Sequence, residues 1–276
     1  MNSKVVLLMP EHPECKLTVF LREDNSERRP TVVVCPGGGY GCVCSDREGF
    51  PIAEYYYKAG FNTCVLEYTI VSQTAEKLGY LPAIEVGLAI KYMRENADEL
   101  GVDIEKIFTC GFSAGGHLAA SAGILWDRPE VCAAMGDASV GINRPNGMIL
   151  SYPVITAGKW AHRGSIANLL KKPDYTEEEG DIFSLEKHVT TNTPPMFIWH
   201  TVTDTCVPVR NATLLIDAYL ENGLRFEAHI FPKGPHGLAL ANEITYGNNP
   251  DMYDLHVAEW IGLSAEWIKN FDRYTK

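Results

Sequence analysis

Along the chain, short apolar bursts of strand character alternate with stretches whose apolar residues recur at three- and four-residue spacing. Val5 to Met9 and Lys16 to Leu21 read as an entry hairpin, since His12-Pro13 breaks the first and Asp24-Asn25-Ser26 closes the second. Thr31 to Cys35 is a β-branched run, followed by Pro36-Gly37-Gly38-Gly39 and a helix from about Gly49 to Lys58. Asn62 to Glu67 predicts a further strand. Leu81 to Asn96 predicts a helix, with Ile84, Leu88, Ile90 and Met93 at helical spacing between charges.

Lys106 to Cys110 predicts a strand that runs through Gly111-Phe112-Ser113-Ala114-Gly115 into a small-residue helix ending near Leu125. Gly147 to Tyr152 and Met196 to His200 read as buried strands. The interval between them is longer than a crossover helix needs, which makes residues 156–194 a candidate cap. Val209 to Asn222 predicts an amphipathic helix stopped by Gly223, Arg225 to Phe231 a strand, and His256 to Phe271 a closing helix. Strand and helix in alternation predict an α/β protein: a mostly parallel, twisted sheet of about eight strands flanked by helices. Residues 1–276 read as one domain, with the cap-like insertion of about 156–194 preceding the loop that follows Met196 to His200.

With 46% hydrophobic and 21% charged residues the chain has the composition of a globule that builds a real core. The net charge of −11 and the lack of a basic footprint exclude nucleic acid and anionic membrane as expected partners. The longest uncharged stretch, Cys110 to Trp126, is rich in Gly, Ala and Ser and reads as a buried helix, not a membrane span. Val5 to Met9 is too short for a signal-peptide core, so export is not expected. The eight cysteines are scattered through apolar patterns, which points to a reducing cytoplasm. Cys35, Cys42 and Cys44 lack a completing ligand pair, so no metal site is expected.

The candidate chemistry centres on Gly111-Phe112-Ser113-Ala114-Gly115. A G-x-S-x-G between a buried strand and a helix makes a tight, strained turn that exposes the serine hydroxyl. Taken alone the pattern is also a glycine-rich packing turn; its place between strand and helix favours the nucleophile. A serine hydroxyl needs a base and a group that orients that base. Asp204 follows the Met196 to His200 strand and His236 follows the Arg225 to Phe231 strand, in the order serine, acid, histidine. Each alone reads as an ordinary loop or capping residue, and their joint placement favours catalysis. Ala114 N–H, at a helix amino terminus, is the natural first oxyanion donor, and the loop Pro36 to Tyr40 should supply the second.

These residues resemble a family: bacterial acetyl-esterase and lipase-like α/β-hydrolases, related to hormone-sensitive-lipase-type esterases and often labelled sugar or xylan esterases. The likeness runs from Thr31 to about Leu240. It is carried by Pro36-Gly37-Gly38-Gly39-Tyr40, Gly111 to His117, His162-Arg163-Gly164-Ser165 with Asn168-Leu169-Leu170, Thr193-Pro194-Pro195, and the Asp204 and His236 loops. The resemblance implies the α/β-hydrolase fold, the same three catalytic residues and a cytoplasmic or cell-associated esterase for short acyl groups. Relatives begin the glycine loop with His where this chain has Pro36; the family register assigns Gly37 and Gly38 as oxyanion donors beside Ala114.

The expected substrate is a small-molecule ester, with an acetylated sugar favoured because the cap candidate carries a mixed polar surface and not a broad apolar lid. Tyr40 and Trp160 are candidate stacking side chains and His200 a candidate pocket-lining one. No cofactor has a task in such a scheme, and a homodimer is the default assembly. An amide or peptide hydrolase with the same residues, and a non-catalytic binding protein on a hydrolase scaffold, are the rival readings.

Overall fold

A computed structural model describes residues 2–136 and 140–274. Its centre is a sheet of eight strands: β1 (Asn2–Leu7), β2 (Lys16–Leu21), β3 (Arg29–Cys35), β4 (Asn62–Glu67), β5 (Val102–Phe112), β6 (Gly147–Ser151), β7 (Met196–Thr201) and β8 (Phe226–Phe231). Their order is β1-β2-β4-β3-β5-β6-β7-β8. β2 runs antiparallel to both of its neighbours, and β3 to β8 run parallel. The entry hairpin forms as expected, with Asn2 opposite Leu21 and Leu7 opposite Lys16.

Alternation along β3 divides the core in two. Val33 and Cys35 face one cluster with Val86, Ile90, Leu118 and Leu215, while Val32 and Val34 face another with Ile52, Tyr56, Trp260 and Trp267. The first cluster is roofed by α2 (Leu81–Glu95), α3 (Ala114–Ile124), α4 (Arg163–Leu170) and α5 (Arg210–Glu221). The second is covered by α1 (Phe50–Lys58) and α6 (Trp260–Lys269). With helices on both faces the inner parallel strands β4, β6 and β7 are buried on both sides, which explains their apolar runs, while the edge strand β8 is only partly buried.

Two expectations differ in detail. The closing helix is not continuous: Leu255–Ala258 precedes α6, and a short turn follows at Phe271–Arg273. The break falls beside Trp260, whose indole stacks on Trp199 and donates to the Ala239 carbonyl at 2.9 Å. The 156–194 segment contains α4 and several shorter turns, and its Ile166, Leu169, Phe183 and Leu185 belong to the same apolar cluster as the sheet. Those side chains anchor the insertion to the core.

The carboxyl ends of β3, β5, β7 and β8 lie at one edge of the parallel sheet and release the glycine loop, the serine turn, the Asp204 loop and the His236 loop. That edge is where open α/β sheets carry their sites.

Candidate active site

Ser113 occupies a conformation that L-residues rarely adopt, with φ 54° and ψ −119°. Such strain persists only where the surroundings fix it. Here Ser113 N–H donates to Ser151 O at 3.1 Å, and the Ser113 carbonyl accepts from Val154 at 3.0 Å and His117 at 3.1 Å. The glycines on either side permit the turn. A Cβ on Gly111 would lie 2.0 Å from Gly115 O, and one on Gly115 would lie 2.2 Å from both Cys35 O and Pro36 O.

His236 joins the serine to the acid: its Nε2 lies 2.8 Å from Ser113 Oγ and its Nδ1 lies 2.6 Å from Asp204 Oδ2. An Asp204 carboxylate can only accept, so His236 Nδ1 carries the proton and the tautomer leaves Nε2 free to accept the serine proton. The acid and base loops are laced together, since Thr201 and Thr203 hydroxyls donate to Gly234 O and Gly234 N–H donates to Thr203 Oγ1. Burial pushes the Asp204 carboxyl up, but hydrogen bonds from His200, His236 and the Val207 amide prevail and hold it well below the ordinary carboxylate range. It is therefore an anion at neutral pH, as an orienting acid must be.

The glycine loop corrects one expectation. Gly37 N–H is not free for an oxyanion, because it donates to the buried carboxylate of Glu48 at 2.8 Å. Its α-carbon still abuts the serine, since a Cβ there would lie 3.1 Å from Ser113 Cβ. Among the described residues no acceptor faces the Gly38 or Ala114 amide, which leaves that pair as the candidate donors.

Two of the expected substrate-binding side chains are closed off. Tyr40 is 1% exposed and its hydroxyl bonds His117 Nδ1 at 2.8 Å, so it props the glycine loop against α3 and presents no face to a ligand. His200 is fully buried behind the acid, donating through Nε2 to Val207 O at 2.8 Å with Asp204 Oδ2 at 3.4 Å. Trp160 alone of the three reaches solvent, 37% exposed, with the Lys159 ammonium 5.0 Å from its ring centre.

Three residues at the site were not singled out for it from the sequence. Glu48 and Tyr152 bond each other at 2.7 Å, and the Tyr152 ring lies 5.0 Å from that of His236. His162 accepts from Ser165 at 2.8 Å, and burial together with the His236 charge depresses its pKa. His162 carried the family likeness without a role. Glu48 sits in a short π-helical turn, Ser45–Gly49, ahead of α1, where spacing gave no signal. Cys35 is buried while Cys42 is exposed, and among the described residues no three His, Cys, Asp or Glu side chains converge as a metal site.

A serine, a base and an oriented acid within hydrogen-bond reach, beside two free amides, can carry out acyl transfer. Residues 17–219 match the BD-FAE family model. The chain belongs to the BD-FAE family. Over 232 residues it is 39% identical to an endo-1,4-beta-xylanase B of Butyrivibrio fibrisolvens, covering 82% of this chain and 35% of that protein. It is 28% identical to an acetylxylan esterase of Xylanibacter ruminicola over 249 residues, 88% of this chain and 48% of that one. The BD-FAE chain thus spans about half or less of the curated relatives it matches first. Among solved structures, the carboxylesterase Cest-2923 of Lactobacillus plantarum superposes with a TM-score of 0.84 at 28% identity, covering 99% of this chain and 98% of that one. The fold is that of the α/β-hydrolases.

Proposed function

We propose that the protein is a serine carboxylesterase that removes short acyl groups, acetyl above all, from a sugar ester. One observation carries this reading: His236 bridges Ser113 Oγ and Asp204 Oδ2 at 2.8 Å and 2.6 Å. In this mechanism Ser113 attacks the ester carbonyl as His236 takes its proton, and Asp204 stabilises the imidazolium. Gly38 and Ala114 amides meet the oxyanion, His236 protonates the departing alcohol, and a water activated by His236 then releases the acid and restores Ser113.

The acetyl and sugar assignment draws support from a relative named acetylxylan esterase and from a solved structure described as an acetyl ester-xyloside bifunctional hydrolase. Trp160, exposed and two positions before His162, is the proposed stacking surface for the sugar. Residues 1–276 act in this reading as one domain, with 156–194 as a fixed wall of the site. The eight free thiols support a reducing compartment, the cytoplasm. No helix among the described residues is long and apolar enough to cross a membrane. The proposed assembly is a homodimer, which size-exclusion chromatography with light scattering reads directly.

The test is acetate release from acetylated xylo-oligosaccharides, run beside p-nitrophenyl acetate, butyrate and octanoate and an aminoacyl p-nitroanilide. The proposal expects acetyl esters to be turned over fastest. Faster cleavage of the anilide than of any ester would replace it with an amide hydrolase.

A further inference from the structure

The mechanism above has no task for Glu48, yet this carboxylate is buried beneath the catalytic centre and fully engaged. Its Oε2 accepts Gly37 N–H at 2.8 Å and its Oε1 accepts the Tyr152 hydroxyl at 2.7 Å. The Tyr152 hydroxyl oxygen accepts Ala239 N–H at 3.0 Å, so its own proton is committed to Glu48. One donor meets each oxygen, which is the pattern of an ionised carboxylate. A Cβ on Gly237, the residue after the base, would lie 4.0 Å from Glu48 Oε1. The carboxylate therefore touches the glycine loop on one side and approaches the His236 loop on the other.

We propose that Glu48 is a positioning residue of this centre. It fixes the glycine loop against Ser113 by holding Gly37 N–H, and with Tyr152 it places a second negative charge near His236. The inference rests on the esterase reading. It accounts for the engaged Gly37 amide, because a loop pinned at Gly37 presents the following amide, Gly38, in a set direction. It also gives the strained Tyr152, φ 37°, a function: the ring supports the imidazole while the hydroxyl ties Glu48 to the loop after His236.

The charged and titratable groups around the pair are few. Arg47, on the same turn as Glu48, bonds Gly237 O at 2.6 Å and Thr245 O at 3.3 Å. Cys44 comes from that turn and Tyr68 from the end of β4, with Tyr152 and His236 opposite. His236 itself faces Asp204, Ser113, Tyr152, His162 and Glu48, with His200 behind the acid. Burial prevails and raises the Glu48 carboxyl above its ordinary value, although the Tyr152 and Gly37 hydrogen bonds and the charges of His236 and Arg47 act against it; the case for the anion is the donor on each of its oxygens.

Glu48→Gln keeps the shape and removes the charge. In the full chain, with p-nitrophenyl acetate as the probe between about pH 5 and pH 9, kcat should fall about tenfold with KM changed less than about twofold. The acidic limb of kcat/KM should move down by about half a pH unit, because losing a nearby anion disfavours the imidazolium. Tyr152→Phe keeps the charge and cuts only the bridge, so kcat should fall about threefold with the acidic limb in place. Wild-type kcat and an unmoved limb in Glu48→Gln would overturn the proposal. Should that variant fail to fold, wild-type kcat in Tyr152→Phe would overturn it. Full activity in Ser113→Ala would instead sink the esterase reading, and this proposal with it.

Discussion

Asp204 divides its carboxylate, giving Oδ2 to His236 at 2.6 Å and Oδ1 to the amides of Cys206 and Val207, both at 2.9 Å. The second oxygen fixes the first. With both amides on Oδ1 the carboxylate cannot rotate, so the imidazole is held in one plane and one tautomer. His200 at 3.4 Å closes the acid from behind.

Asp204→Asn should consequently leave the fold intact and cut kcat by on the order of 10³–10⁴, since an amide nitrogen at that position favours the wrong tautomer. Steady-state kinetics beside a thermal melt checks this. A loss of under about tenfold in a folded variant would remove Asp204 from the role of orienting acid.

Gly115→Ala should be among the most damaging single-methyl changes in the chain. Its Cβ would stand 2.2 Å from two backbone carbonyl oxygens, those of Cys35 and Pro36, and neither is a movable side chain. A loss of at least about 3 kcal/mol in urea unfolding, or no soluble protein, is expected. Stability within about 1 kcal/mol of wild type would mean that α3 and β3 do not approach as described.

Buried His117 joins three elements: Nδ1 accepts from Tyr40, Nε2 donates to Phe183 O at 3.0 Å, and its backbone begins the serine helix. Burial, opposed only in part by the Phe183 carbonyl, lowers its pKa from 6.5 to about 4. Between those values the unfolded chain binds a proton on this residue and the folded chain does not, so stability is full above about pH 6.5 and falls as pH drops toward 4. The contribution is on the order of 3 kcal/mol. Urea unfolding at neutral pH and near pH 4.5 should show a smaller pH-dependent loss in His117→Gln than in wild type. Equal losses in the two proteins would assign the acid sensitivity to other groups.

Trp160→Ala should raise KM for acetylated xylo-oligosaccharides about three- to tenfold while leaving kcat for p-nitrophenyl acetate within about twofold, since a stacking surface for the sugar contributes to binding and not to the bond-breaking step. An unchanged KM on the sugar substrate would leave Trp160 without a binding role.

The fold and the candidate site were legible in the sequence for different reasons. β4 and β6 are buried on both faces, so their apolar runs read almost residue for residue, and the order of Ser113, Asp204 and His236, each on a loop after a strand, favoured that set. What the sequence hid were contacts between segments distant along the chain. Tyr40 and His200 have the chemistry of ligand-binding residues, and only packing shows that His117 and Asp204 already occupy them. Glu48 lies in a turn without periodicity and finds Tyr152 104 positions away.

The most direct test of the central claim is hydrolysis of p-nitrophenyl acetate by wild type and Ser113→Ala at matched concentration near neutral pH. The account predicts turnover by wild type and a loss on the order of 10⁴-fold or more in a variant that melts like wild type. Equal rates in the two folded proteins would contradict it, because the serine that the strained turn holds against His236 would then not be the nucleophile.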